Sequence, residues 1–307
     1  MIKSAFVVLV ASVSLGSTMD PVAAATCPTV NFPDLSRSVG AGVNYAKPSV
    51  KISCTDLDLT VTSNGMISFP FVAKTPNPLR EQAFSWTVPL APKVAPGTTS
   101  IVNVLGTLGF TTTGLPIYGP TEGPVPRTEA FGDPVYNKIL DKCGGHTGPS
   151  AEYHHHALIS TTACNLRTSG IIGYALDGFP IYGGIGCLDK TCSKKSPMKS
   201  SYVKFGNPTT NSWRAYSYKK SAGTLDECNG RVQPDGSYGY HATSGFPYVL
   251  GCFKGTPRTQ IGAAAAPMPP MYGPPPGPPP GPPPWGRPPW QGASFICRIV
   301  GAKMVAT

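Results

Sequence analysis

The chain has 307 residues and a net charge of +10, with 13% charged residues, 35 glycines and 36 prolines. This length suits one large domain or two ordinary ones, and the Gly and Pro content favours strands and turns over long helices. The positive charge is diffuse, with no basic run longer than Lys194-Lys195 or Lys219-Lys220. Nucleic-acid binding is therefore not predicted.

The first 25 residues have the pattern of a signal peptide. Lys3 supplies a positive charge, and the apolar run from Ala5 to Leu15 is too short to span a bilayer. Ala23-Ala24-Ala25 offers small residues for cleavage, and no later stretch predicts a membrane helix. We therefore expect a secreted protein, extracellular or, in a bacterium, periplasmic.

Nine cysteines predict a disulfide framework, because exported thiols meet an oxidising compartment. Local spacing pairs eight of them as Cys27–Cys54, Cys143–Cys164, Cys187–Cys192 and Cys228–Cys252. Cys297 is then left over. A zinc–thiolate cluster is the competing interpretation, but the sequence has no Cys-x-x-Cys pair to support it.

Residues after the signal peptide predict a mainly β, sandwich-like domain that is rich in Gly and Pro and contains disulfides. Leu57, Leu59 and Val61 alternate with polar residues, as in a half-buried strand. Asn64-Gly65 then predicts a hairpin whose return strand covers Met66 to Val72.

One short helix is predicted near residues 133–142. Asp133 can serve as its N-cap, Pro134 fits its first turn, and Gly144 and Gly145 would end it. The same helix would deliver His146 just past its C-terminus.

Three of the five histidines lie in the run Tyr153-His154-His155-His156. On a strand, His154 and His156 share one face and Tyr153 and His155 share the other, since side chains alternate. Two imidazoles at that spacing, roughly 7 Å apart at Cβ, can bind one metal ion. The alternative is a polar loop or a hydrogen-bonded structural cluster without metal.

A weak internal repeat runs through the middle of the chain. The sequence Gly114 to Gly119 recurs as Gly178 to Gly183, and Tyr238 to His241 resembles a second, altered form of Tyr153 to His156. Because Gly-x-Pro turns recur for local reasons, repeated turn usage without shared function is the favoured interpretation.

The Pro-rich region divides the chain. We predict a signal peptide at 1–25, an N-terminal extension at 26–49, the β-rich domain at 50–258, a polyproline linker at 259–292 and a tail at 293–307. Gly273, Gly277 and Gly281 each precede three prolines, a period that excludes collagen. Such a segment would be extended and solvated, and suits contact with a wall or matrix.

The ordered series of motifs across residues 50–258 resembles the YHYH domain family, named for its Tyr-His-Tyr-His motif. The matching stretches are Cys143 to His146, Tyr153 to His156, Gly173 to Gly183, Leu225 to Gly230, Tyr238 to His241, Phe246 to Tyr248 and Gly251 to Phe253. This family is defined by sequence, so the resemblance implies no reaction. His155 stands where the family pattern has Tyr, and Gly239 stands where it has His.

The resemblance and the spacing together predict one shared site. Its expected metal ligands are His146, His154, His156 and His241. The neighbouring residues expected to support them are Tyr153, His155, Asp177, Tyr240 and Asp226. Neutral imidazoles without thiolates suit Zn(II) or Cu(II), and Tyr153 or Tyr240 could complete a copper site.

Three function classes follow from this site. The first is a secreted domain that binds a divalent transition metal, Cu or Zn. The second is a metal-dependent or acid–base enzyme that acts on an extracellular polymer, and the third is a structural matrix or wall protein. An open coordination position would separate the first two, since catalytic sites keep one and structural sites do not.

Overall fold

Short strands provide most of the regular structure in a computed structural model of the chain, which confirms the prediction of a mainly β fold. The structure describes residues 26–102, 104–123, 132–158 and 164–258, and the strands at 298–300 and 303–305. The chain forms two compact units, Met1–Pro267 and Met268–Thr307. The predicted signal peptide, the Pro-rich linker and Cys297 lie outside the described residues, and the domain boundaries stay predictions.

The described strands of the first unit are two to six residues long, as frequent Gly and Pro interruptions lead one to expect. They are β1 (Val50–Cys54), β2 (Asp58–Ser63), β3 (Phe84–Pro89), β4 (Thr99–Ser100), β5 (Thr107–Thr111), β6 (Pro116–Tyr118), β7 (Gly145–Thr147), β8 (Tyr153–His155), β9 (Ile171–Ala175), β10 (Pro180–Tyr182), β11 (Ile185–Cys187), β12 (Lys195–Pro197), β13 (Tyr202–Lys204), β14 (Tyr216–Tyr218), β15 (Gly230–Val232), β16 (Tyr238–His241) and β17 (Cys252–Phe253). In the second unit, β18 (Arg298–Val300) pairs with β19 (Lys303–Val305).

The described helices are few and short. They are one α-helix, α1 (Ser212–Ala215), and two 3-10 helices at Thr29–Asn31 and Lys220–Ala222. The side chain of Asn211 caps α1 by accepting a hydrogen bond from the Arg214 amide. None of the helices in the described ranges has the length and apolar composition that crossing a bilayer requires.

The helix predicted near 133–142 is wrong in position, because this segment forms only turns. Asp133 does act as a cap, since its Oδ1 accepts hydrogen bonds from the amides of Val135 and Tyr136. Lys138, however, has φ of +58°, a left-handed conformation that ends a helical turn. The hydroxyl of Tyr248 also donates to Asp133, so tertiary contacts hold the turn in place.

The hairpin predicted at Asn64-Gly65 is also absent. β2 pairs instead with β1 and β3. The predicted return strand from Met66 is irregular, and it buries Ile67 and Phe69 in a small apolar cluster. Pro70, which lacks an amide donor, interrupts it in the middle.

Two sheets build the core. The three-stranded sheet has the order β1-β2-β3, and the eight-stranded sheet has the order β15-β16-β10-β9-β5-β6-β8-β7. Buried residues of both sheets form one hydrophobic cluster, in which Trp86 of β3 stacks on Phe110 of β5 with 5.0 Å between ring centroids. This packing of one sheet on another agrees with the sandwich-like prediction.

The eight-stranded sheet consists of two copies of one four-stranded arrangement. β5, β6, β8 and β7 form the first copy, and β9, β10, β16 and β15 repeat it in the same order from the centre outwards. In each copy, the first and second strands pair antiparallel, the second and third pair parallel, and the third and fourth pair antiparallel. The central pair, β5 with β9, joins the copies antiparallel.

The two copies also share their hydrogen bonds. In each, a tyrosine hydroxyl donates to an aspartate twelve residues earlier, and a histidine Nδ1 lies within hydrogen-bond distance of the carbonyl of a glycine. The tyrosine–aspartate pairs are Tyr153–Asp141 and Tyr238–Asp226, and the histidine–glycine pairs are His156–Gly119 and His241–Gly183. The internal repeat is therefore structural, and its interpretation as turn usage alone is wrong.

All four predicted disulfides are present. Cys27 is bonded to Cys54, Cys143 to Cys164, Cys187 to Cys192 and Cys228 to Cys252. Two of these bonds occupy equivalent places, because Cys143 and Cys228 each lie two residues after the aspartate that binds the tyrosine. Each copy is thus anchored covalently at the turn before its outermost strand.

Trp86→Ala should destabilise the protein by about 3–5 kcal/mol, since it removes a buried ring from the contact between the two sheets and leaves a cavity. Urea unfolding followed by far-UV circular dichroism measures the change. Val43→Ala, at a fully exposed position, is the control and should change the free energy of unfolding by less than about 0.5 kcal/mol. A loss below about 1 kcal/mol for Trp86→Ala would contradict the described packing.

Candidate metal centre

Three histidines meet at the outer end of the first copy. β7 and β8 pair antiparallel and place His146 directly opposite His154. His156 follows β8 directly, and its ring lies on the same side as that of His154, with 4.9 Å between the ring centroids. The predicted strand and its alternation are therefore confirmed. All three rings are at most 3% exposed, so they are largely removed from solvent.

Glu122 is the fourth member of the group, and our sequence reasoning missed it. It follows β6, which runs parallel to β8 and pairs Ile117 with His155. Parallel pairing brings the residues after both strands to the same end of the sheet. The nearest sequence signal for Glu122 is the repeated Gly-x-Pro-Ile-Tyr-Gly motif, which ends three residues before it. This motif does not indicate which strands pair.

The four side chains converge on one point. The Oε2 atom of Glu122 lies 2.9 Å from Nε2 of His146 and 3.2 Å from Nε2 of His156. The Nε2 atoms of His154 and His156 are 3.1 Å apart, and the four potential ligand atoms all lie within 4.8 Å of one another. A tetrahedral ion with bonds of 2.0–2.1 Å has ligand–ligand distances of about 3.3–3.4 Å. The three contacts of 2.9–3.2 Å are close to this spacing, and the cluster could hold such an ion.

Backbone carbonyls orient two of the rings. Nδ1 of His156 lies 2.6 Å from the carbonyl oxygen of Gly119, and Nδ1 of His146 lies 3.2 Å from that of Ile139. Because a carbonyl only accepts, both Nδ1 atoms must carry the proton. Both Nε2 lone pairs then face the centre of the group, which is the arrangement that metal-binding imidazoles adopt.

A cation at the centre would satisfy the polar atoms of His154. Without one, and with His156 neutral, Nε2 of His154 donates to His156, which leaves the Nδ1 lone pair facing a carboxylate oxygen of Glu152 at 3.6 Å. Buried Nδ1 of His154, Oε2 of Glu152 and Oε2 of Glu122 indeed have no hydrogen-bond partner. A central cation would bind Glu122 and free His154 to direct Nδ1–H at Glu152, so the donor set fits a metal.

Tyr118 and Glu152 form the wall behind His154. The Tyr118 ring stacks on the imidazole with 3.9 Å between centroids, and its hydroxyl donates to Glu152 Oε1 at 3.2 Å. Burial raises the pKa of the Tyr118 hydroxyl, and the neighbouring Glu152 adds to the shift. Tyr118 therefore remains a neutral donor that holds the carboxylate in place.

The protonation states suit metal ligands. Burial lowers the pKa of the His154 imidazole to about 4, although Glu152 opposes the shift. Burial acts to raise the pKa of Glu122, but the contacts with His146 and His156 outweigh it and hold this pKa well below its usual range. Near neutral pH, His154 is neutral and Glu122 is ionised, as metal binding requires.

His241 does not join the group, so the prediction of four converging imidazoles is wrong for this residue. It lies on β16, and four strands separate β16 from β8 in the sheet. At about 4.8 Å per strand, the two motifs are roughly 24 Å apart. The pairing of the two copies at the centre of the sheet places their Tyr/His motifs towards opposite ends, which the sequence pattern did not reveal.

The second copy pairs both ring nitrogens of its histidine without a metal. His241 directs Nδ1 at the carbonyl of Gly183, and its Nε2 lies 3.1 Å from the side-chain amide nitrogen of Gln233. Gln233 in turn accepts a hydrogen bond from Arg231, which occupies the position that His146 has in the first copy. A Cβ on Gly239, the counterpart of His154, would lie only 2.5 Å from the Tyr182 ring.

The predicted supporting residues do not surround the histidine group. Tyr153 donates to Asp141, and His155 directs Nδ1 at the carbonyl of Cys143. Both side chains therefore lie on the face of β8 opposite to His154 and His156. The other three predicted residues, Asp177, Tyr240 and Asp226, belong to the second copy and stabilise its turns. Tyr240 donates to Asp177, which also accepts from the Gly255 amide, and Asp226 accepts from Tyr238.

Comparison with known proteins identifies one family. The family model described as YHYH protein matches residues 85–255, which is more than half of the chain and includes both copies and all four members of the group. No curated protein and no solved structure matches the chain significantly. The family match therefore supports the resemblance seen in the motifs and provides no activity.

Acid should destabilise the protein through His241. Burial lowers the pKa of this imidazole to about 4, with the Gly183 carbonyl opposing the shift and Arg231 adding to it. The unfolded chain takes up this proton near pH ~6.5, so the stability contributed by neutral His241 is lost progressively as pH falls from about 6.5 to about 4. The slope attributable to one such group approaches about 1.4 kcal/mol per pH unit.

Urea unfolding between pH 7.5 and 4 measures this dependence. His241→Gln has no proton to take up and should show a shallower fall than the parent protein, although its stability at pH 7.5 is lower. Equal slopes for the two proteins would contradict the assignment of His241 as a buried neutral group.

Proposed function

This chain belongs to the YHYH protein family, and we propose that it is a secreted domain that binds one divalent transition metal ion through Glu122, His146, His154 and His156. The supporting observation is the approach of four ligand atoms, three of them imidazole Nε2, to within 4.8 Å of one another, with three of the distances between 2.9 and 3.2 Å. Uncompensated acceptors are costly at such distances, and a cation would offset that cost.

Zinc is the ion that this geometry favours. The three imidazole rings are almost equally spaced, with 4.8, 5.1 and 4.9 Å between their centroids, and Glu122 provides a fourth corner. Zn(II) prefers four tetrahedral nitrogen, oxygen or sulfur ligands, whereas Cu(II) prefers a tetragonal arrangement. Cu remains the second candidate, because imidazole also suits it and its affinity for a given site generally exceeds that of zinc.

Four protein ligands leave no open coordination position, which favours holding the ion over catalysis. The alternative of a metal-dependent enzyme rests on one observation. Glu122 is 32% exposed, while the three histidines are buried, so it is the one ligand that an incoming substrate could displace. Its departure would leave three histidines and an open position, which is the ligand set of several catalytic zinc sites.

Secretion is part of the proposal. The four disulfides fit an oxidising compartment, and the apolar run from Ala5 to Leu15 provides the export signal. Where the cytosolic reductants are absent, these disulfides persist and stabilise the domain that contains the metal site. Contact of the Pro-rich segment with a wall or matrix would hold the metal-binding domain at that wall or matrix.

The secreted protein should contain one metal ion per chain, and not two, because among the described residues only the first copy provides a set of ligands. His154→Ala and His156→Ala should each remove most of the metal, measured by mass spectrometry of the purified protein. Affinity should also fall as pH approaches about 4, where His154 takes up a proton and no longer binds the ion.

Two further histidines serve as controls for this experiment. His155→Ala changes the residue between the ligands that faces the other side of the strand, and His241→Ala changes the second copy. Both variants should retain one equivalent of metal if they fold. Metal content that falls equally in all four variants, or no metal in the parent protein after zinc addition, would refute the proposal.

Glu152→Gln tests the residue behind His154. The amide keeps the size of the side chain but removes the charge that orients Nδ1–H, so zinc affinity should decrease by about 10–100-fold. Competition with a chelating dye measures this change. Glu81→Gln, at an exposed glutamate on the surface, should leave the affinity unchanged. An unchanged affinity in Glu152→Gln would show that the carboxylate does not orient the ligand.

A further inference from the structure

A groove of about 830 Å³ lies along the outer edge of the second copy. It is bordered by β15, by the turn that leads into β16, and by Tyr218 and Val94. Its floor contains Phe179 and Tyr238, whose rings meet edge to face with 5.2 Å between centroids. Val232 of β15 is 65% exposed beside them. Phe179 is 4% and Tyr238 is 6% exposed, so the groove lies over two largely buried rings next to the end of a sheet.

The first copy has the same surface, but there the protein covers it. Thr147 is the counterpart of Val232, and it is only 1% exposed. The Thr147 carbonyl accepts hydrogen bonds from the side chains of Thr75 and Asn77, and the Thr147 hydroxyl donates to the carbonyl of Asn77. An irregular segment of the chain therefore binds the outer edge of β7.

The same segment also covers the aromatic floor of the first copy. Phe69 packs edge to face on Tyr153, the counterpart of Tyr238, with 5.7 Å between ring centroids. Leu79 joins the same buried cluster as Tyr153 and Leu115, and Leu115 is the counterpart of Phe179. Residues 68–79 include Pro70, Pro76 and Pro78, so this covering segment is not part of a regular strand.

We propose that the groove on the second copy binds a polypeptide segment of the same kind, namely an extended, proline-containing peptide with one aromatic or aliphatic anchor. Because the two copies share their strands and contacts, the segment that covers the first copy indicates which chemistry fits the second. An exposed strand at the end of a sheet accepts backbone and side-chain hydrogen bonds, and aromatic grooves bind proline-rich segments. The surface is separate from the metal centre, which lies in the first copy.

The two copies differ at the outer edge of the sheet, which is covered at β7 and exposed at β15. Within the described ranges, β15 ends the sheet, and no hydrogen bond from another segment reaches the backbone of Val232. Exposed apolar side chains beside an aromatic floor are typical of an interaction surface. Val232 and Val94 supply those side chains here, and half-buried Tyr218 lines the groove with them.

A fluorescein-labelled peptide with the sequence of residues 68–79 is the probe, and the full secreted protein is titrated into it. We expect a saturable rise in fluorescence anisotropy. Val232→Asp and Tyr218→Ala should each weaken binding by at least about fivefold, as expected for residues central to an interface. Val43→Asp, a matched change at an exposed valine elsewhere, should leave binding unchanged.

The peptide itself provides a second comparison. Phe69→Ala in the probe should weaken binding by a similar factor, because the aromatic anchor is lost. The proposal is overturned if the parent protein shows no saturable binding at millimolar concentration, or if Val232→Asp binds as tightly as the parent. A neutral oligosaccharide that displaces the peptide and binds more tightly would assign the groove to a glycan and equally overturn the proposal.

Discussion

The close pairing of β5 with β9 is the constraint on which the arrangement of this protein depends. The strands can approach because glycines stand at the contact: a Cβ on Gly109 would lie 2.7 Å from the Tyr174 carbonyl oxygen, and one on Gly173 would lie 2.5 Å from that of Phe110. This antiparallel junction joins two copies of one four-stranded arrangement. It therefore places their Tyr/His motifs towards opposite ends of the sheet, and it prevents the two from forming one shared centre.

Within the first copy, charge and hydrogen bonding are arranged around a point that could hold a cation. Carbonyl oxygens hold the Nδ1 protons of His146 and His156, so that their Nε2 lone pairs and the Glu122 carboxylate face one another. Such groups repel in a buried place unless positive charge lies between them. Glu152 and Tyr118 contact His154 from behind and hold its ring in place.

The second copy shows what this strand arrangement becomes when the polar residues differ. Arg231, Gln233 and His241 form a chain of hydrogen bonds in which a guanidinium group supplies the positive charge. The ring of Tyr182 occupies the space that a side chain at position 239 would need. This copy therefore has no set of free lone pairs for a metal, and its distinguishing feature is the exposed outer edge at Val232.

Sequence alone determined the local features of this protein. The alternation of a strand placed His154 and His156 on one face, and short spacing between cysteines identified four disulfides, because both effects act between near neighbours in the chain. The motifs also identified the family. Tertiary structure decided the rest. It brought Glu122 to the histidines through a parallel strand pair, it kept His241 roughly 24 Å away, and it replaced the helix expected after Asp133 by a turn whose cap Tyr248 also binds. These outcomes depend on which strands pair and in what register, and residues distant in sequence settle that choice through the burial of their side chains.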